Sequence, residues 1–295
     1  MTPQLVCSIH DGWTQVLSAG PAESGSLAIV SHDVLNNDLD LSLARHGHLR
    51  PEAREAVELQ LRPLALRQAK GAGPIDVLLS PSLANDDPEH KELEQWARHL
   101  GNTMGYTLHL PSVADEARLL LRAHRACFSH EETCYMLQVG GWSSTLVREL
   151  GQGAQHTSLP WGCERPGLFE RRGELAPEAM PEVADLLRAH LKTLDLCGQP
   201  AWLLGLVAAR LTFLEEQRLR STMLDADGLT VLHDWLANFD GEERDTLPLL
   251  AGRGHSIIDS LAIVRRLFSA RGFHRVRFCP WNTPHGFLLE KLKIG

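Results

Sequence analysis

The stretch Tyr135-Met-Leu-Gln-Val-Gly-Gly-Trp-Ser-Ser-Thr-Leu146 decides the fold of this chain. Its first residues are a short, mainly apolar run, which is typical of a buried strand. Gly140-Gly141 then predicts a sharp turn into a second strand. Paired glycines followed by hydroxyl residues also let backbone N–H groups close on a phosphate, whereas most such hairpin turns bind nothing. The stretch alone leaves both interpretations open.

A similar stretch stands near the start of the chain, in Ile9-His-Asp-Gly-Trp-Thr-Gln-Val-Leu17. Both stretches have the same order of features: a strand, a glycine, a tryptophan, a hydroxyl residue and a second strand. They lie about 130 residues apart, which is the size of a domain. The elements of the first half follow the order β-β-β-α-β-α-β-α, which favours an α/β layer fold. The repeated strand-turn-strand entry predicts a duplicated unit with a cleft between the copies.

The second copy is predicted to carry more helices than the first. Helical patterns cover 177–196, 201–220, 229–239, 257–270 and 285–292. We therefore divide the chain into a first lobe, residues 1–125, and a second lobe with additional helices, residues 126–295.

Composition and charge exclude several classes of protein. A chain of 295 residues with 43% hydrophobic and 22% charged residues has enough apolar content for full cores. Its net charge of -8 offers no basic surface, so nucleic acid is not an expected partner. No apolar run reaches the length of a membrane span, and no signal peptide is present. We therefore expect a cytoplasmic protein without a membrane partner.

The six cysteines are Cys7, Cys127, Cys134, Cys163, Cys197 and Cys279. None forms a C-x-x-C pair, and most lie inside apolar stretches. This pattern is typical of small buried side chains in a reducing compartment. It favours neither a disulfide framework nor a zinc site.

Further segments stand in an order that resembles one protein family. Val113-Ala-Asp-Glu-Ala-Arg-Leu119 precedes the central loop, Ser158-Leu-Pro-Trp-Gly-Cys-Glu-Arg165 follows it, and His285-Gly-Phe-Leu-Leu289 stands near the end. The central loop itself, Gln138-Val-Gly-Gly-Trp-Ser-Ser-Thr145, stands where the family has D-x-G-G-G-S-T-E. Together these blocks resemble the exopolyphosphatase/guanosine pentaphosphate phosphatase (Ppx/GppA) family of the actin-like ATPase superfamily. The resemblance implies an α/β protein with a two-lobed, duplicated ribonuclease H-like (actin-like ATPase) fold and a central cleft.

The resemblance also implies which residues form the site. Glu116 matches the family's catalytic glutamate, which acts as the base that orients the attacking water. The two loop turns match the family's phosphate-binding turns. The implied phosphate-binding residues are Gly12, Gly140, Gly141, Ser143 and Ser144.

The charged residues of the family's site are replaced in this chain. The family has an aspartate in each loop to hold a divalent metal and phosphate, and these positions match His10 and Gln138. The glutamate that ends the family's central loop matches Thr145. Because Mg²⁺ prefers carboxylate oxygens, His10 and Gln138 are weak candidate ligands, and we assign no metal site. The loss of these charges predicts lost or much reduced hydrolysis.

Trp13 and Trp142 stand in the two phosphate-facing turns. Three interpretations are open for each indole. It fills the space of a phosphate, it packs outward or into the core beneath the turn, or it is a stacking platform for a flat ligand. A zinc site built on histidine is a further alternative, and unconnected surface histidines are its competing interpretation. The residues of this zinc alternative are His10, His255, His285 and Glu116.

The sequence leaves three functions open. In the first, the chain is an inactive relative with a binding or regulatory role, and its partner is polyphosphate, a phosphorylated small molecule or a protein. In the second, it is an active exopolyphosphatase-type phosphohydrolase that needs Mg²⁺ as cofactor and Glu116 as base. In the third, the helical second lobe is an oligomerisation module. Relatives of this shape often pair, so a homodimer is an expected assembly.

Overall fold

The structure is a computed structural model, and it groups the chain into two units. The first unit contains residues 1–126 and 283–295, and the second contains residues 127–282. The residues that the structure describes are 3–10, 12–46, 48–69, 74–81, 88–128, 135–141, 143–150, 153–159, 161–163, 201–204, 223–247, 254–271 and 275–294.

The first unit is built on a five-stranded sheet with helices beside it. Its strands, in chain order, are β1 (Gln4–Ile9), β2 (Trp13–Pro21), β3 (Leu27–Asn36), β4 (Ile75–Leu79) and β5 (Thr107–His109). The spatial order is β3-β2-β1-β4-β5. The first three strands are antiparallel to one another, whereas β4 and β5 run parallel to β1. The helices described before the second unit are α1 (Leu39–His46), α2 (Pro51–Ala69), α3 (Pro88–Met104) and α4 (Val113–Cys127).

The second unit repeats this arrangement. Its strands are β6 (Tyr135–Val139), β7 (Ser144–Leu150), β8 (Gly153–Leu159), β9 (Ala201–Leu204), β10 (Met223–Leu224) and β11 (Val276–Cys279). The spatial order is β8-β7-β6-β9-β11-β10, which is the order of the first sheet with one more edge strand. The described helices of this unit are α5 (Ala226–Ala237), α6 (Gly241–Thr246) and α7 (Gly254–Arg271), and α8 (Thr283–Lys291) follows. The predicted duplicated ribonuclease H-like fold is thereby confirmed.

Apolar strand sequences explain why the centre of each sheet forms where it does. β4 in the first unit and β6 in the second bury every one of their residues. Strands with a parallel neighbour are usually covered on both faces, so their sequences are nearly continuous apolar runs. In the second unit, Tyr135 of β6 packs in one core with Trp161, with Phe278 of β11 and with Leu229 of α5.

The first hairpin of each sheet shows the duplication residue by residue. Ile9 faces Thr14 across β1 and β2, and Val139 faces Ser144 across β6 and β7. The offset between these two pairs is 130 residues on both strands. The domain-sized spacing predicted from the sequence is therefore the spacing of the repeat.

The hydrogen bonds that close the two turns follow the same offset. The backbone N–H of His10 donates to the carbonyl of Trp13 at 2.8 Å, and that of Gly140 donates to the carbonyl of Ser143 at 2.9 Å. Trp13 therefore corresponds to Ser143. An alignment on the shared glycine-tryptophan pair would instead match Trp13 to Trp142, one position away. The hydrogen bonds of the two turns therefore shift the match of the repeat by one position from the match on shared letters.

The C-terminal helix differs from the predicted division of the chain. Residues 283–295 belong to the first unit, although the predicted second lobe extends from 126 to 295. α8 packs on β1 and β2. A Cβ atom at Gly286 would overlap the carbonyl oxygen of Leu119 and lie 2.7 Å from its carbonyl carbon. Only glycine permits this close approach of α8 to α4.

Charged side chains hold α8 in the same unit. Lys291 pairs with Asp76 of β4, and Glu290 pairs with Arg118 of α4. His109 of β5 also contacts Asp76, at 2.8 Å. The His109 and Lys291 hydrogen bonds outweigh the opposing effect of burial, so the pKa of Asp76 is lowered. Such contacts join residues far apart in sequence, which explains why a local pattern does not assign the helix to a unit.

The helix predicted over 201–220 is wrong at its start. Residues 201–204 form β9, which runs parallel to β6 and β11. Periodicity cannot separate a short apolar strand from a helix, and the parallel pairing decides the outcome here. Residues 205–220 and the predicted helix over 177–196 lie outside the described residues.

Candidate functional site

In the first unit, the candidate site begins where β1 ends, at His10. The imidazole is 4% exposed, and its Nε2 lies 2.9 Å from the Ser8 hydroxyl. Burial lowers the pKa of His10 to about 4. At neutral pH the position that the resemblance assigns to a metal-binding aspartate therefore holds an uncharged ring that already has a hydrogen-bond partner.

Trp13 packs beside His10. The two rings are 5.5 Å apart between centroids and tilted by 31°. The Trp13 side chain is 6% exposed, and its Nε1 has no hydrogen-bond acceptor among the described residues. A ring so buried has little surface left to stack on a ligand, so the structure favours packing beneath the turn. Trp142 lies outside the described residues.

Asn37 braces the turn after β1, and sequence reasoning missed it. Its Nδ2 donates to the His10 carbonyl at 3.1 Å and to the Thr14 hydroxyl at 3.2 Å. Its backbone N–H donates to the Gly12 carbonyl at 3.3 Å. The residue is 1% exposed. An asparagine directly after a long strand is a turn signal, and it could have directed attention to this residue.

Glu116 lies in the first turn of α4, and its side chain is 3% exposed. The start of this helix is fixed by a reciprocal pair. Ser112 donates to the Asp115 carboxylate through its hydroxyl at 2.6 Å and its backbone N–H at 3.1 Å, and the Asp115 N–H donates to the Ser112 hydroxyl at 3.1 Å. These hydrogen bonds lower the pKa of Asp115. A capped first turn gives the Glu116 backbone a defined position.

The parallel strands place Glu116 and His10 at the same edge of the first sheet. β1, β4 and β5 run parallel, so their carboxyl ends meet at one edge. His10 follows β1 directly, and α4 begins shortly after β5. Ser80, which follows β4, donates its backbone N–H to the Ile9 carbonyl at 2.9 Å. In open α/β sheets, ligands bind outside the carboxyl ends of the strands.

In the second unit, the predicted phosphate loop joins β6 to β7, and two of its donors, the Gly140 N–H and the Ser144 hydroxyl, have partners within the fold. The Gly140 N–H is used in the turn, as described above. The Ser144 hydroxyl donates to the Trp161 carbonyl at 2.5 Å, and the Cys163 N–H donates to the Gly140 carbonyl at 3.0 Å. Gly141 is buried and Ser143 is half-buried. The Gly140 N–H and the Ser144 hydroxyl thus donate to groups of the protein itself. This favours a structural hairpin turn over a phosphate-binding loop at these two residues.

Gln138 lies on β6, opposite Thr145 of β7 and beside Leu204 of β9. Its side chain is 9% exposed. The amide therefore belongs to the interior of the second unit. Within the second unit, Gln138, Gly140, Gly141, Ser143 and Ser144 belong to one hairpin. Within the first unit, the strand topology puts His10, Gly12 and Glu116 at the carboxyl edge of one sheet.

The histidines of the zinc alternative do not form a described metal site. The part of the chain that the structure describes contains no group of three or more His, Cys, Asp or Glu side chains able to hold a metal ion. His285 is buried, and its ring lies 5.8 Å from that of His32. Burial, and secondarily the charge of His32, lowers the pKa of His285 to about 3. The side chain of His255 lies outside the described residues.

The first unit also contains a cavity of about 420 Å³ beside the braced turn. Asn37 lines it and connects it to His10. The wall carries charges of both signs, including Arg50 and Glu52, whose side chains lie 3.2 Å apart. Its volume falls within the range of small-molecule sites. The other lining residues are Asp38, Leu41, Ser42, His46, Ala53 and Ala56.

Comparison with protein-family models and with curated protein sequences gives no match. Solved structures do match. A Ppx/GppA family member from Aquifex aeolicus has a TM-score of 0.75 and 15% identity, covering 99% of this chain and 98% of that one. An exopolyphosphatase from Cytophaga hutchinsonii has a TM-score of 0.83 and 11% identity, with the same coverage. An exopolyphosphatase-like protein has a TM-score of 0.76 and 12% identity, covering 98% and 97%.

The two sheets and these neighbours define the class of fold, which is a duplicated α/β fold with one mixed sheet in each copy. Within that class, the chain shares the fold of the Ppx/GppA proteins over nearly its whole length. The resemblance read from the sequence is confirmed at the level of the fold. The described helices include none that is both long enough and apolar enough to cross a membrane.

Proposed function

We propose that this chain is a divergent Ppx/GppA-type phosphatase-like protein in which hydrolysis of polyphosphate or guanosine pentaphosphate is lost or much reduced. Its retained fold serves a binding or regulatory role, with polyphosphate or a phosphorylated small molecule as ligand. The observation that carries this proposal is His10, the buried and uncharged ring at the end of β1.

The chemistry of phosphoanhydride hydrolysis supports the proposal. The reaction needs cations that neutralise the transferring phosphoryl group and a group that orients the attacking water. Neither the His10 imidazole nor the buried Gln138 amide supplies the carboxylate oxygens that Mg²⁺ prefers. Each electrostatic group removed from such a site lowers kcat by about 10²–10³-fold. Two lost carboxylates are enough to abolish useful turnover.

A second candidate function, an active phosphohydrolase, is favoured by one observation. Glu116 is kept at the matching position, and it lies in the first turn of a capped helix at the carboxyl edge of the sheet. A carboxylate in the first turn of a helix is stabilised as the anion, the form that orients water. Mg²⁺ would be the cofactor of this reaction, but the described donors do not fit it.

A supporting feature for the binding role is the cavity beside Asn37. It is large enough for a small phosphorylated molecule, and Arg50 and His46 are potential partners for an anion on its wall. Asn37 belongs both to the cavity wall and to the turn after β1. A ligand in this cavity would therefore contact the same residue that orders the candidate site.

Phosphate release separates the two candidate functions. The purified chain is incubated with long-chain polyphosphate or guanosine pentaphosphate in Mg²⁺ and in Mn²⁺, beside Glu116→Gln and the neighbouring Asp115→Asn. We expect all three proteins to release phosphate at the same background level. Metal-dependent release by the unmodified chain and by Asp115→Asn, absent from Glu116→Gln, would overturn the proposal and establish the active phosphohydrolase.

A further inference from the structure

Residues of α1 and α2 line the cavity beside Asn37, and a charged residue at the start of each helix lies on its wall. Asp38 directly precedes α1, and Arg50 directly precedes α2. Glu52, in the first turn of α2, lines the same wall. Acidic and basic side chains from two segments of the chain therefore share one cavity of about 420 Å³.

Hydrogen bonds hold Asp38 in an uncommon backbone conformation. Its φ is 54°, in the left-handed region that aspartate adopts more readily than most residues. The side chain of the preceding Asn37 accepts the Leu39 N–H at 3.2 Å and donates to the His10 carbonyl at 3.1 Å. The Asp38 carbonyl accepts the Ser42 N–H at 3.0 Å. The fold thus fixes the backbone that presents this carboxylate at the cavity, and such held conformations cluster at ligand sites.

Ser42 fixes the backbone of Arg50 on the same wall. Its hydroxyl accepts the Arg50 N–H at 2.8 Å and donates to the His48 carbonyl at 3.2 Å. The Arg50 guanidinium contacts the Glu52 carboxylate through Nε at 3.2 Å and through Nη2 at 3.5 Å. The side chains of this pair are 50% and 69% exposed, and exposed pairs of this kind are weak. A ligand anion can therefore bind the guanidinium without a large loss of protein contacts.

The signs of these charges decide which ligand fits. A ligand with only a phosphate would gain from Arg50 but would share the cavity with the carboxylates of Asp38 and Glu52, which repel it. A plain amine would gain from Asp38 but would be repelled by the Arg50 guanidinium. A ligand that carries an anionic and a cationic group gains from both signs. The cavity also offers it apolar surface, from Leu41, Ala53 and Ala56.

We propose that this cavity binds a small, freely diffusing phosphate monoester that also carries a primary ammonium group. Arg50 donates to the phosphate oxygens, a pairing for which the planar guanidinium is well suited. The Asp38 carboxylate accepts from the ammonium group. The inference rests on the proposed binding role and names its class of ligand. Phosphate release reports hydrolysis and ligand titration reports this cavity, so the two proposals fail independently.

Calorimetric titration of the full chain with three matched probes tests the site. The first probe, 3-aminopropyl phosphate, carries both charges, whereas propyl phosphate lacks the ammonium group and propylamine lacks the phosphate. We expect the first probe to bind at least about tenfold more tightly than either of the others, the factor expected from one charge-assisted hydrogen bond. Propyl phosphate binding as tightly as 3-aminopropyl phosphate would overturn the proposal. So would the absence of saturable binding of 3-aminopropyl phosphate.

Two variants assign the two charges, although the three probes decide the proposal on the unmodified chain even if a variant fails to fold. Asp38→Asn keeps a residue that tolerates the left-handed backbone, and it should remove the preference for 3-aminopropyl phosphate over propyl phosphate. Arg50→Gln should weaken the binding of both phosphate esters by about tenfold. This change keeps the backbone N–H that Ser42 accepts.

Arg98→Gln is the matched control for Arg50→Gln. Arg98 is also an exposed arginine of the first unit that pairs with a glutamate, Glu94. This variant should bind all three probes as the unmodified chain does. An equal loss of binding in Arg98→Gln and Arg50→Gln would show that the probes respond to surface charge in general, and it would contradict the assignment to the cavity.

Discussion

Replacing Gly286 with alanine is expected to destabilise the first unit by at least about 3 kcal/mol, the upper part of the range for overpacking a core. The added Cβ would overlap the carbonyl oxygen of Leu119 in α4. Backbone atoms in a helix cannot move aside as a flexible side-chain end can. α8 must then separate from α4, and the contacts of Lys291 with Asp76 and of Glu290 with Arg118 would loosen. Denaturant unfolding measures the loss.

Gly101→Ala is the matched control. Gly101 lies inside α3 of the same unit, and a Cβ there would meet its nearest atoms at 3.5 and 3.6 Å, which is ordinary contact. Alanine is preferred over glycine in a helix interior by up to about 1 kcal/mol. This variant should be neutral or slightly more stable. If Gly286→Ala unfolded at the same denaturant concentration as Gly101→Ala, the close packing of α8 on α4 would be contradicted.

The stability of the first unit is expected to fall steeply as the pH drops below about 6.5. His10 and His285 are buried, and burial lowers their pKa values to about 4 and about 3. In the unfolded chain both would titrate near 6.5, so the unfolded state binds protons first as the pH falls. Between pH 8 and pH 5 each ring should cost about 2 kcal/mol of the free energy of unfolding. The loss continues until the pH reaches the folded-state values.

The other titrating groups with lowered pKa values also lower the stability of the first unit as the pH falls. His32 lies against His285, and burial lowers its pKa although the charge of Asp33 opposes this. Asp76 is an acidic group whose pKa is lowered further, because its hydrogen bonds to His109 and Lys291 outweigh burial. The window from pH 6.5 down to about 4 therefore reports the buried histidines.

Denaturant unfolding at a series of pH values measures this dependence. His10→Asn should flatten the curve between pH 8 and pH 5, whereas His99→Asn, at an exposed position on α3, should leave its slope unchanged. A curve that stays level over this range in the unmodified chain would show that neither His10 nor His285 is buried as described.

Local sequence signals predicted the central strands of both sheets and the duplication. The apolar runs of β4 and β6 and the glycine turns after β1 and β6 are features of short segments, and the structure has them where the pattern places them. The residue-by-residue match between the two copies could be read only from the structure. Identical residue types in the sequence match Trp13 to Trp142, whereas the hydrogen bonds of the two turns match it to Ser143.

Features that depend on long-range contacts could not be predicted from local pattern. β9 is a strand because β6 and β11 flank it, and its four residues carry no periodicity of their own. α8 joins the first unit through Gly286, whose neighbour Leu119 is distant in sequence. The resemblance named Glu116 and His10, but the neutral state of His10 follows from burial, which only the fold provides.

Calorimetric titration of the metal-free chain with Mg²⁺ tests the central claim most directly. The claim is that His10, at the end of β1, and Gln138, on β6, do not provide a site for a divalent metal. We predict no saturable heat of binding at neutral pH up to millimolar Mg²⁺, and the same result for Glu116→Gln. Saturable binding by the unmodified chain that is weakened in Glu116→Gln would contradict the account.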